Sequence, residues 1–233
     1  MSTPAQFPIL ENILAIRGIG VTFYALKDED RLYLVDAGFV GGAALLRRRL
    51  ERRGWGKIPI AGILLTHGHL DHVLNATQIA SESGAWVAAH RLEAAQIAGT
   101  YPHTGPSRIC GLLESAGRRL LRYVPPRITR WFDDGEEIEI FGGLRVMHLP
   151  GHTEGHVAFH HARSGLLFSG DLFASYPLVS HPPPGFLNSH PHEIAASLHR
   201  AISFDPVGVL PNHGDNASPD VHLTRLRSLA ARY

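Results

Sequence analysis

The chain is poor in cysteine, with one residue, Cys110, among 233. A single thiol excludes an intramolecular disulfide framework and any metal site built from several cysteines, and it points to a cytoplasmic setting. Net charge is nearly absent too: 22 Lys and Arg stand against 21 Asp and Glu, giving +1. That balance supplies no long-range field to gather nucleic acid or anionic lipid, so neither is expected as a partner. Long apolar runs are also missing. No segment reaches the ~18 residues of a membrane-spanning helix, and MSTPAQFPILENIL lacks a basic start followed by an apolar stretch, so neither membrane span nor export signal is expected. No repeat or low-complexity linker divides the chain. With 44% hydrophobic residues there is ample material for a core, and one domain over 1–233 is the expectation.

Short β-type runs alternate with helical ones. GVTFYALK and RLYLVDAG, joined by KDED, predict a hairpin over Gly20–Gly38 that leaves Asp36 at a strand end. GGAALLRRRLERRGW has apolar positions at helical spacing opposite an arginine-rich face, with Gly54 as its stop. IAGILLTH reads as a buried strand, DHVLNATQIASESG as a helix from near Asp71, and AWVAAH as the next strand. EEIEIF, LRVMHL, HVAFHH and LLFSGD are four further strand-like runs, followed by a helix over HEIAASLHRAIS, a strand over VGVLPNHGD and a closing helix over SPDVHLTRLRSLAARY. Residues 91–131 fit this alternation worst. IAGTYPHTGPSR is a loop and RICGLLESAGRRLLRYV a helix, which predicts a cap beside the site. Cys110 falls in that helix, where a small buried hydrophobe is favoured over a reactive thiol.

What the chain does have in quantity is histidine, 16 residues, and histidine is the commonest metal ligand. The densest group is ILLTHGHLDHVLNA, Ile63–Ala76, which follows an apolar run with His67, His69, Asp71 and His72. On an extended backbone His67 and His69 point to one face and can share an ion. Asp71 and His72 come as the chain turns into a helix, so they point elsewhere and can serve a second ion beside the first. Three later strand ends each carry a further potential ligand: His152 in HLPGHTEGH, Asp171 in LLFSGDLF and His213 in VLPNHGD.

With its His-x-His-x-Asp-His motif and the separate His, Asp and His motifs in this order, the chain resembles the metallo-β-lactamase superfamily from about Gly20 onward. The resemblance implies an α/β fold, a four-layer αβ/βα sandwich of two mixed β-sheets with the metals in a cleft at one sheet edge. It implies that His67, His69 and His152 hold one ion, that Asp71, His72 and His213 hold another, and that Asp171 bridges them. Five imidazoles and two carboxylates suit Zn²⁺, with Fe or Mn as alternatives. Asp36 matches a supporting aspartate of the family that orients the site. The implied chemistry is attack on a carbonyl carbon by a hydroxide held between two ions, with Asp71 taking a proton as the intermediate collapses.

No serine or cysteine nucleophile is needed, and Ser169 in FSGD lacks a Gly-x-Ser-x-Gly setting. His156, four residues beyond His152, is expected to support the site by hydrogen bonding without ligating. His103, His181, His190 and His192 fall in irregular segments suited to overhang a cleft, as do Tyr176 and Phe186 of SYPLVSHPPPGFLNSHPHE. The superfamily's quorum-signal lactonases carry a Tyr a few residues past the bridging Asp, which makes Tyr176 a candidate catalytic residue. Only twenty residues follow His213, which points away from the glutathione thioesterases with their C-terminal helical domain. The expected substrate is therefore a small-molecule ester, thioester or lactone. The rival is a persulfide dioxygenase-like oxidoreductase with one iron on His67, His152 and Asp171, against which stands the lack of an Arg-Thr-Asp stretch after Asp171. Whether the chain forms a homo-oligomer is left open by the sequence.

Overall fold

The computed structural model describes residues 8–233; the first seven residues, included in the search for an export signal, lie outside it. One sheet runs in sequence order: β1 (Ile13–Arg17), β2 (Thr22–Asp28), β3 (Arg31–Val35), β4 (Ile60–Leu64), β5 (Trp86–His90) and β6 (Arg130–Phe132). Its first three strands pair antiparallel and the rest parallel. The second sheet is built from β7 (Glu137–Ile138), β8 (Leu144–His148), β9 (Val157–His161), β10 (Leu166–Ser175) and β11 (Gly208–Gly214), antiparallel except for the β10–β11 pair. The α-helices among the described residues are α1 (Gly42–Arg53), α2 (Leu70–Val73), α3 (Ala76–Ser83), α4 (Ala94–Ala98), α5 (Arg108–Leu120), α6 (Ile194–Ser203) and α7 (Pro219–Ala230).

The layering follows from side chains that alternate faces along each strand. Leu32 and Leu34 of β3, with Phe23 and Ala25 of β2, meet Leu46 and Leu50 of α1 and Ile79 of α3. Their neighbours Tyr33, Val35, Tyr24 and Leu26 point the other way, onto Val146, Phe159 and Phe168 of the second sheet. On that sheet's far side Met147, Ala158, Leu167 and Val209 meet Leu198 of α6 and Leu226 of α7. Helix, sheet, sheet, helix is the result, with three apolar seams between four layers. Both sheets are mixed and buried on both faces, as the family resemblance implied.

Several elements differ from the expectation for identifiable reasons. The first sheet begins with β1, an edge strand before the predicted hairpin whose half-buried ILAIR pattern is too short to stand out. EEIEIF forms only the two-residue β7, because Phe141 turns the chain at φ 53 and its N–H donates to Asp28 Oδ2 at 2.6 Å. β10 runs on through Asp171 to Ser175, and β11 through His213 to Gly214, so both residues lie inside strands. Within 91–131 the loop and α5 are present, α4 precedes them, and residues 130 and 131 already belong to β6.

The helix expected from Asp71 starts at Leu70 and breaks after Val73. There Asn75 turns its side chain to the preceding connection: Nδ2 lies 2.9, 2.9 and 2.7 Å from the carbonyls of Ala37, Gly38 and Phe39, and Oδ1 accepts the N–H of Ala43 at 3.3 Å. Short polar side chains compete with the helix for backbone groups in this way. Asn75→Ala leaves these buried groups without the amide and is expected to cost about 2–3 kcal/mol in urea denaturation; a loss within experimental error would show that the connection after β3 is held by other contacts.

Candidate metal centre

The seven residues singled out by sequence converge. His67 and His69 follow β4, Asp71 and His72 lie on α2, His152 sits between β8 and β9, and Asp171 and His213 come from β10 and β11. Their polar atoms form a chain of close approaches. His69 Nδ1 is 2.8 Å from His152 Nε2, which lies 3.5 Å from Asp171 Oδ2. His213 Nε2 is 3.1 Å from the same oxygen and 3.4 Å from Asp71 Oδ2. His72 Nε2 stands 3.6 Å from Asp71 Oδ2 and 3.2 Å from Asp171 Oδ1. A tetrahedral ion with bonds of about 2.0–2.1 Å sets its ligands ~3.4 Å apart, which these spacings bracket. His67, His69 and His152 make one group that could hold an ion, and Asp71, His72 and His213 make another. Asp171 reaches toward both, Oδ1 to His72 and Oδ2 to His152 and His213.

Protein atoms alone leave the polar groups of this pocket incompletely satisfied. His67 Nε2, His72 Nε2 and Asp171 Oδ1 are buried without a hydrogen-bond partner, the last two facing each other without hydrogen-bond alignment. Buried polar atoms are rarely left so, and a cation satisfies all three.

The far nitrogen of each imidazole has a polar neighbour, and for four of them that neighbour is an acceptor that takes the Nδ1 proton. Nδ1–H of His72 donates to Asp36 Oδ2 at 2.9 Å, that of His152 to Asn188 Oδ1 at 2.9 Å, and that of His213 to the Gly20 carbonyl at 2.7 Å. His67 Nδ1 meets Thr66 Oγ1 at 3.0 Å, whose own proton goes to Asp36 Oδ2. His69 is turned the other way, with Nε2 3.6 Å from Cys110 Sγ. Four of the rings thereby present Nε2 to the cluster and His69 presents Nδ1, the orientation metal-binding histidines require. Cys110 is buried as expected, and burial pushes its thiol up to about 12, so it faces His69 as a neutral group.

Burial, first of all, keeps His67, His69 and His152 unprotonated, His69 at about 4 and His152 at about 3. Burial is the largest single influence on His72 and His213 too and opposes their charge, but the surrounding carboxylates together outweigh it, Asp171 and Asp71 for both and Asp36 also for His72: His72 is raised well above the ordinary value and His213 to about 11. Asp171 is in turn held well below the carboxylate range, its burial outweighed by His213 and His72. One half of the cluster thus offers neutral imidazoles, while in the other an incoming cation displaces protons.

Asp36, at φ 63 and fully buried, accepts from Thr66 N (2.8 Å), Thr66 Oγ1 (2.8 Å) and Asn212 Nδ2 (2.7 Å) besides His72. His156 supports without reaching the cluster's centre: its Nδ1–H donates to the Leu149 carbonyl at 3.0 Å and its Nε2 accepts the N–H of Asp171 at 3.0 Å. Gly170 must be glycine for that contact, since a Cβ there would lie 2.5 Å from His156 Nε2. Ser169 is buried and bonds a backbone carbonyl.

Of the loop residues, Tyr176 and His181 line a cavity of about 220 Å³ that also touches Asp171 and His213. His190 instead meets the Tyr101 hydroxyl at 3.2 Å, with His192 beside it, and His103 packs on Gly111 of α5. Phe186 is 39% exposed. A larger cavity of about 520 Å³, around Val40, Gln78 and Tyr123, contains none of the clustered residues.

A sequence model of the metallo-β-lactamase superfamily matches residues 16–210. The chain is 27% identical to the probable metallo-hydrolase YqjP of Bacillus subtilis, over 88% of this chain and 72% of that protein. It is 32% identical to the hydroxyacylglutathione hydrolase GloC of Haemophilus influenzae over 62% of each, somewhat under two thirds of that enzyme's length. Among solved structures, the metallo-β-lactamase family protein TTHA1429 of Thermus thermophilus superposes with a TM-score of 0.74 at 25% identity, covering 94% of this chain and 78% of that one.

Two supports were not visible in the sequence. Cys110, Glu114 and Arg118 recur every four residues on α5 and turn one stripe of that helix to the ligand loop. Glu114 accepts the Leu70 N–H at 3.1 Å, and Arg118 donates to the Gly68 carbonyl at 2.7 Å. Glu93, fully buried, clasps two ligand loops at once by accepting Gly68 N at 2.6 Å and Gly155 N at 2.7 Å. Burial lifts its carboxyl from the ordinary 4.5 to about 7 despite those bonds. The folded chain therefore holds this proton more tightly than the unfolded one, so the stability it contributes is complete below about 4.5 and is lost as pH rises through about 7. In ion-free protein, Glu93→Gln is expected to gain stability relative to wild type between pH ~5 and ~7. Urea denaturation across that range measures it, and parallel curves would mean that Glu93 is ionised throughout.

Proposed function

The chain belongs to the metallo-β-lactamase superfamily, and on that premise we propose that it is a dinuclear metal-dependent hydrolase cleaving an ester, thioester or lactone of a small molecule. The observation that carries this reading is Asp171, one carboxylate that lies between the two halves of the cluster, its Oδ2 near His152 of one and His213 of the other and its Oδ1 near His72. His67, His69 and His152 would hold one ion and Asp71, His72 and His213 the other, with Asp171 available to both. The all-N/O donor set favours zinc and accommodates iron or manganese. When bound, such a pair supplies the nucleophile by acidifying water and polarises the carbonyl that is attacked. The similarity to a hydroxyacylglutathione hydrolase supports a thioester among the candidate bonds.

The chain's own groups do the rest. Asp36, Thr66, Asn188 and the Gly20 carbonyl hold the rings of His72, His67, His152 and His213 in orientation, so loading displaces protons without turning these rings. Asp71, with its side chain a third exposed, is the carboxylate placed to take up a proton as the leaving group departs. Tyr176 stands on the cavity wall beside Asp171 and His213, where its hydroxyl can donate to the carbonyl oxygen as charge develops.

Protein purified without added metal is expected to carry about two transition-metal ions per chain and to hydrolyse members of an ester, thioester and lactone panel without consuming oxygen. A single iron together with oxygen uptake on a persulfide would replace this reading with the oxidative one. Tyr176→Phe should lower kcat by about 10–100-fold with metal content unchanged. Wild-type turnover on every hydrolysed substrate would remove the hydroxyl from the reaction.

A further inference from the structure

The cavity beside Asp171 and His213 differs in chemistry from the cluster it opens on. Its wall is Phe173 and Ala174 of β10, then Tyr176, His181, Pro183, Pro184 and Leu187 of the following loop, and no lysine or arginine contributes to it. The prolines bring no N–H to this surface. The wall is tied down before any ligand arrives. Ala174 and His181 exchange backbone hydrogen bonds of 2.8 and 3.2 Å, and Asn188 Nδ2 donates to the Pro183 carbonyl at 2.8 Å while its Oδ1 holds His152. The approach is apolar as well: Leu178 and Val179 of the same loop stand 96% and 60% exposed. The turn carrying Leu187 abuts α5, whose solvent side bears Ile109, Leu112 and Leu113, all more than half exposed. Exposed apolar side chains on the segments that flank a cavity are a feature of binding regions.

Resting on the hydrolase reading, we infer that this cavity selects the substrate through an uncharged hydrocarbon group, a short aliphatic chain or a single ring borne by the acyl or alkyl part. Its volume of about 220 Å³ is below the ~300–1,000 Å³ of sites that enclose a whole drug-sized ligand, so one substituent is seated and the remainder stays outside. A carboxylate seated against Phe173, Pro183, Pro184 and Leu187 would lose its water with no lysine or arginine to pair it. Anionic substituents are therefore refused by desolvation. Leu187, partly exposed on a short turn, is the position that sets this preference.

The test is a series of straight-chain acyl esters from acetyl to octanoyl, with ω-carboxylated esters of matched length, on the metal-loaded protein. kcat/KM is expected to rise about fourfold per added methylene until the cavity is full, and each ω-carboxylated ester to be at least ~10-fold slower than its methyl-ended counterpart. Leu187→Ala should flatten the rise, and Leu187→Arg should narrow or reverse the discrimination against the carboxylate. A rate independent of chain length, or faster on the charged series, would overturn the inference and leave the hydrolase reading intact. Hexanol titrated into the protein and followed by methyl NMR reads the pocket without catalysis. Shifts confined to Ala174, Leu187 and their neighbours uphold the apolar pocket even if no ester is cleaved, which would overturn the hydrolase reading alone. Shifts elsewhere, or none, overturn the pocket.

Discussion

One buried carboxylate holds the centre together. Asp36 sits where β3 ends, in a left-handed backbone conformation, and its two oxygens take protons from Thr66, His72 and Asn212. Thr66 follows β4, His72 lies on α2 and Asn212 on β11, so the group ties a ligand-bearing loop of the first sheet to a ligand-bearing strand of the second. A carboxylate removed from water is strongly destabilising unless each lone pair is used. Here they are used by the groups whose orientation the cluster needs: His72 directly, and His67 through Thr66. The geometry of the centre is in this sense a by-product of satisfying one desolvated charge.

Ligand chemistry was more legible in the sequence than ligand support. Histidines and aspartates next to apolar runs announce themselves, because few other roles bring such side chains to a strand end in that density. The β-branched and aromatic runs GVTFYALK and RLYLVDAG, with KDED as the turn between them, likewise revealed the β2–β3 hairpin. Glu93, Asn75 and Asn188 were silent because their partners are backbone groups or residues far away in sequence, and a polar residue with such a partner looks like any surface residue. Strand ends were misplaced for a related reason. β10 continues past Asp171 because β11 pairs alongside it in parallel, with irregular register between Phe168 and Ala174, and no local pattern encodes a partner strand some forty residues on.

The segment 91–131 shows how a helix can be read correctly and still be misunderstood. Its α5 was expected beside the site, and its amphipathic pattern is plain, but the polarity is inverted. Cys110, Glu114 and Arg118 face inward to the ligand loop, while Ile109, Leu112 and Leu113 face solvent. A helix that buries its charges does so to hold backbone groups: here a Glu114–Arg118 pair at 2.8 Å brackets the peptide groups of Gly68 and Leu70. The partly buried pair thus serves the placement of His69 more than the cohesion of the core.

The distribution of the seven residues along the chain also bears on how the protein is made. His67, His69, Asp71 and His72 emerge early in synthesis, His152 and Asp171 much later, and His213 last of all, on the strand that also carries Asn212 to Asp36. Until β11 docks, the early histidines form an open claw lacking its lid and one of the locks on its tautomers. Order of appearance thus runs against order of dependence, since the residue group that is complete only with His213 begins to be laid down about 140 positions before it.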